Sequence, residues 1–131
     1  MRILYLCADR GIPVRGHKGA AIHVRAMCAA FSALGHQVVL CTPRPDPEDG
    51  PRPAAELVAI PLPHLPNGVD KATARELQSQ NLTPQLVGAA QTILARRRFD
   101  LIYERYSLWS DAGARLARGL QPRTSAARLL A

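Results

Sequence analysis

Apolar residues come in two kinds of block that alternate along the chain. Ile3-Leu4-Tyr5-Leu6-Cys7 is apolar at every position, which predicts a strand covered on both faces, as at the centre of a parallel sheet. From Ala20 onward Val24, Met27, Phe31 and Leu34 return at steps of three and four, the spacing of one helical stripe, and Gly35 can close that helix in a left-handed cap. Val38-Val39-Leu40-Cys41 predicts a second strand. Residues 1–42 therefore have the spacing of a right-handed strand-helix-strand unit.

The stretch 43–53, Pro-Arg-Pro-Asp-Pro-Glu-Asp-Gly-Pro-Arg-Pro, cannot donate a regular ladder of hydrogen bonds and predicts an exposed loop. Residues 56–60 predict a third strand, stopped by Pro61 and Pro63. Asp70 can cap a polar helix through about Gln80, and Thr83-Pro84 opens a separate helix with Leu86, Val87, Ala90, Ile93 and Leu94 on its apolar face. Residues 99–103 predict a fourth strand, and Ser110-Asp111 a cap for a last helix carrying Ala112, Leu116 and Ala117. No comparable apolar run follows Gly119. The expected architecture is a partial Rossmann-like three-layer α/β/α domain with a parallel sheet of about four strands in the order 3-2-1-4. The fourth strand would be a bare edge, so the domain should be marginal alone and prone to associate.

The length of 131 residues suits one domain. The opening apolar stretch is too short for a signal peptide and is followed by charge, and nothing is long enough to span a membrane, which predicts a cytoplasmic protein. A net charge of +7 invites a nucleic-acid or anionic-membrane partner. Only Arg96-Arg97-Arg98 forms a run, however, and it falls where a helix should end and its dipole favours cations. No aromatic residue is placed to stack bases, so nucleic acid is not expected. The three cysteines, Cys7, Cys28 and Cys41, lack the C-x-x-C spacing of a zinc or redox site and read as buried thiols. No metal or cofactor is expected.

The loop Gly11-Ile12-Pro13-Val14-Arg15-Gly16-His17-Lys18-Gly19 joins the first strand to the first helix. It is not a P-loop, because His17 stands in the lysine position and Gly19 in that of the hydroxyl residue. Its glycines are too widely spaced for a dinucleotide fingerprint. Two readings remain: a flexible turn, or a site where Gly16 and Gly19 let a ligand approach the backbone while Lys18 and the helix start attract negative charge. At the same end of the sheet the fourth strand delivers Glu104 and Arg105, candidates for hydroxyl or phosphate contacts, or alternatively an ion pair or a helix cap. His23, beside the apolar stripe, reads as a packed or solvated histidine; His36 and His64 have no assigned role.

Met1-Arg-Ile-Leu-Tyr, Gly16-His-Lys-Gly-Ala-Ala-Ile-His-Val-Arg, Leu34-Gly-His-Gln-Val and Phe99-Asp-Leu-Ile-Tyr-Glu-Arg-Tyr-Ser together resemble the N-terminal domain of family 4 glycosyltransferases. The resemblance covers most of residues 1–118 and leaves 119–131 as a non-matching tail. It implies a GT-B enzyme, in which two Rossmann-like domains face one cleft, the N-terminal one taking mainly the acceptor and the C-terminal one the nucleotide sugar, with no metal needed. Gly16, Lys18 and Gly19 match the family's glycine-rich loop near the donor, and Glu104 and Arg105 match the segment after the fourth strand, where many members carry His-x-His. Catalytic residues stay unassigned. The implied partners are a nucleotide-sugar donor, a sugar or lipid acceptor, a peripheral membrane surface and a missing C-terminal domain. The expectation is a truncated or frame-shifted glycosyltransferase product, inactive alone, with a non-catalytic anion- or nucleotide-binding module as the alternative.

Overall fold

The structure, a computed structural model, describes residues 1–119 and 128–130. Its elements run β1 (Arg2–Cys7), α1 (Gly19–Ala33), β2 (Gln37–Thr42), β3 (Glu56–Ala59), α2 (Lys71–Arg96), β4 (Leu101–Arg105), α3 (Ala112–Gly119) and β5 (Arg128–Leu130). All four strand pairings are parallel and give the order β3-β2-β1-β4-β5.

The apolar run of β1 lies at the centre of this sheet, and the two-residue period of the strand sends its side chains to two different cores. Leu4 and Leu6 join Val39, Cys41, Leu82, Leu86, Ala90, Ile102 and Leu116, the core under α2 and α3. Tyr5 and Cys7 join Val14, Ala21, Val24, Cys28, Val38 and Leu40, the core under α1. The three-layer α/β/α arrangement follows, since a strand apolar on both faces needs helices on both. Gly35, at φ 83°, turns the chain out of α1 as its position after the helical stripe predicts.

Three expectations need correction. Lys71–Arg96 form one helix, not two, capped by Asp70 and with Pro84 inside it. Proline removes the bond that residue 84 would give to the Gln80 carbonyl, but Leu82, Leu86 and Ala90 sit on the sheet on either side of that break and hold both halves in line. Thr83 does not cap a new helix; its hydroxyl donates to the Trp109 carbonyl at 2.9 Å. The fourth strand lies two residues later than the periodicity placed it, because Asp100 serves the start of β1: its carboxylate accepts from the Arg2 amide at 2.8 Å and its own amide donates to the Arg2 carbonyl. Finally, β4 is not a bare edge. Three residues of the chain's last stretch, β5, pair with it in the register Leu101↔Arg128, Ile102↔Leu129 and Tyr103↔Leu130. Three residues are too few to show a strand period, so only the pairing reveals them. Of the 119–131 tail, Gly119 ends α3, and residues 120–127 and 131 lie outside the described residues.

All three cysteines are free and buried. Burial pushes the thiols up, Cys7 to about 11 and Cys28 and Cys41 to about 12, from an ordinary 9.0. A thiol whose folded value exceeds its unfolded one stabilises the fold below the unfolded value and loses that contribution as pH rises through the folded value. The melting temperature should therefore hold up to about pH 9 and fall between pH 9 and 12. At pH 8 iodoacetamide should label the folded chain at least about tenfold more slowly than the urea-unfolded chain.

Candidate functional site

In a parallel sheet every strand delivers its following loop to one edge, and ligands of open α/β sheets bind there. At this edge the β1-to-α1 loop is a braced structure rather than a free turn. Ile12 and Val14 are buried in the core under α1. Behind them, the Val14 amide donates to the Arg44 carbonyl (2.9 Å) and the Arg15 amide to that of Asp46 (3.1 Å). Arginines fasten the remaining carbonyls. Arg15 donates twice to Gly50 (3.0 and 2.7 Å), Arg25 donates to Val14 and Gly16 (2.8 and 2.7 Å), and Arg44 donates to Arg10 (3.1 Å). Arg44 also grips Asp46 through two bonds of 2.8 and 2.9 Å, which hold the Asp46 carboxyl below its usual range.

The segment 43–53 is irregular, as its prolines require, but not merely exposed: Pro43 and Pro53 are buried and Arg44, Asp46 and Gly50 half-buried. The Arg44 side chain and the carbonyls of Arg44, Asp46 and Gly50 find partners in the first loop, which is what lets a strandless segment pack.

The predicted ligand-loop residues separate within this frame. Gly16 is buried, and its amide donates to the Pro13 carbonyl at 2.8 Å. Lys18 and Gly19 are exposed at the start of α1, where the Lys18 side chain makes no capping bond. On the other rim, adjacent residues of β4 face opposite ways. Glu104 turns to α3, accepting from the Ser110 hydroxyl (2.7 Å) and the Gly113 amide (2.8 Å), so it serves as a helix cap. Arg105 turns to α1 and donates to Nδ1 of His23 at 2.9 Å. His23 is thus a surface partner of Arg105 rather than a packed residue.

Between the loops that follow β1 and β4 lies a cavity of about 250 Å³, lined by Ala8, Asp9, Arg10, Gly11, Ser107, Leu108 and Trp109, with Ser79 reaching in from α2. The Asp9 carboxylate accepts from the Gly11 amide at 2.7 Å, and the hydrogen bond from Thr83 fixes the backbone at Trp109. A second hollow of about 380 Å³, lined in part by His36, Gln37, Glu56 and Arg97, opens at the opposite, amino edge. Its polar groups are already engaged: Arg97 pairs with Glu56 at 2.8 Å, and Nδ1 of His36 meets the N-terminal amine at 3.0 Å. Among the described residues no three His, Cys, Asp or Glu side chains converge as a metal site requires.

A sequence profile described as a glycosyl transferase 4-like domain matches residues 18–127. The chain belongs to that family. No curated protein and no solved structure gives a significant match. The matched span of this glycosyl transferase 4-like domain takes in Lys18, Gly19, Glu104 and Arg105, together with Ser79, Ser107 and Trp109 of the cavity.

None of the five residues singled out from sequence lines the cavity. Asp9, Arg10 and Trp109 were within reach of the same rule that drew attention to Glu104, because they too follow the carboxyl ends of β1 and β4. Ser79 carried no such signal, nor did the arginine clamps, whose acceptors are carbonyls far away in sequence.

The glycines make this frame testable. A Cβ on Gly50 would run into the Arg15 carbonyl, whereas one on Gly19 would meet nothing. Gly50→Ala should lower stability by about 1–3 kcal/mol in urea unfolding. Gly19→Ala should leave it unchanged or raise it by up to about 1 kcal/mol.

Proposed function

We propose that this domain is the acceptor-side wall of a glycosyl-transfer cleft in a two-domain GT-B enzyme, with a second Rossmann-like domain holding the nucleotide sugar. The observation that carries the reading is the cavity at the carboxyl ends of β1 and β4, in a chain of the glycosyl transferase 4-like family. Among the described residues its lining carries one carboxylate, Asp9, and one guanidinium, Arg10, so it offers a pyrophosphate no net positive charge. The donor's phosphates belong instead beside the exposed Lys18 and the first-turn amides of α1, where the backbone N–H groups and the lysine both favour an anion. Arg105, held toward α1 by His23, adds a further cation on that side of the rim.

Transfer then requires the donor half to close over this wall, and one wall alone cannot orient both reactants. The purified 131-residue chain should not consume UDP-, GDP- or ADP-sugars, as followed by nucleotide release, and nucleoside diphosphates should bind without saturating below the millimolar range. Turnover by the chain alone would contradict the reading. So would tight, saturable diphosphate binding abolished by Lys18→Ala, which would make the domain a nucleotide-binding module.

A further inference from the structure

The cavity's lining is specific enough to name the part of the acceptor it holds. We infer, resting on the acceptor-wall reading, that it takes a single neutral sugar ring, with Asp9 and Ser107 bonding its hydroxyls and the Trp109 ring packing on its C–H face. At about 250 Å³ the space lies just under the range of pockets for drug-sized ligands, a size that suits one sugar ring.

The chemistry selects among rings. Asp9 and Arg10 stand side by side in the lining and cancel in charge, which removes the net attraction an anionic ligand would need. The Asp9 carboxylate can only accept hydrogen bonds; the Gly11 amide uses part of its capacity and the rest calls for donors such as sugar hydroxyls. The Ser107 hydroxyl can both donate and accept, as hydroxyl-rich ligands require, and Ser79, whose hydroxyl donates to the Arg75 carbonyl at 2.9 Å, keeps its acceptor capacity. Trp109 is 40% exposed and is the one aromatic residue among the described residues that line the cavity. The walls are also fixed before binding. Thr83, buried in α2, holds the Trp109 carbonyl, and Arg44 holds that of Arg10, so little ordering is left for the ligand to impose.

Trp109 is the chain's single tryptophan, so its fluorescence and its indole N–H resonance report on this cavity alone. The full chain is titrated with methyl α-glucoside, methyl α-mannoside, methyl α-galactoside and methyl N-acetyl-α-glucosaminide. Inositol phosphate, inorganic phosphate and uridine diphosphate are titrated in parallel. At least one hexoside should give a saturable Trp109 shift. Asp9→Asn, which keeps an oxygen for the Gly11 amide but removes the charge, should weaken it about fivefold or more. Trp109→Ala should abolish saturation transfer to the same sugar in ligand-observed NMR. Octyl and methyl forms of the responding hexoside separate the two sources of such a ring: equal affinity indicates a free glycan, tighter octyl binding a lipid-borne one. No response to any hexoside, or affinity unchanged in Asp9→Asn, overturns the inference. A Trp109 response to the phosphates but to no sugar overturns the neutral ring and leaves the acceptor wall standing. Saturable uridine diphosphate binding at Trp109 overturns both.

Discussion

The structure depends on the double burial of β1. Flanked by β2 and β4 and apolar on both faces, this strand obliges helices to cover the sheet on each side, and parallel pairing obliges every connection to return across a face. The consequence is functional as much as structural. With all strands pointing the same way, the segments after β1 and β4 come together at one edge, and the cavity opens between them.

A sheet edge alone would leave those segments loose, and here arginines supply the rigidity. Arg15, Arg25 and Arg44 spend their guanidinium groups on backbone carbonyls of the first loop and the proline-rich segment. Arg2 does the same for Arg98 at the amino edge. At least four of the chain's 17 Lys and Arg residues therefore act as internal clamps, each satisfying backbone acceptors of chain that has no ladder of its own. Gly50 completes the arrangement by leaving room for the Arg15 carbonyl.

What could be read from the sequence was whatever a local period or cap encodes: the doubly buried β1, the stripe of α1, the Gly35 turn and the three buried thiols. The family resemblance was also legible, because its motifs lie in order along the chain. Interactions between distant residues were not. Pro84 looked like a boundary since its local effect is to break a helix, and only the contacts of Leu82 and Leu86 with the sheet override it. For Glu104 the sequence left a ligand contact, an ion pair and a helix cap open, and the cap follows from where Gly113 falls in space. The cavity's own residues follow the strands they should, but single residues such as Asp9 and Trp109 carry no pattern until the two loops are side by side.

The proposed ligand site is the carboxyl edge between the loops after β1 and β4. Backbone chemical-shift mapping of the ¹⁵N-labelled chain with a saturating methyl hexoside tests it most directly. Perturbations should concentrate at residues 8–11, 79 and 107–109, with the amino-edge hollow around His36 and Arg97 unmoved. Shifts centred on that hollow, or spread evenly over the surface, would contradict it.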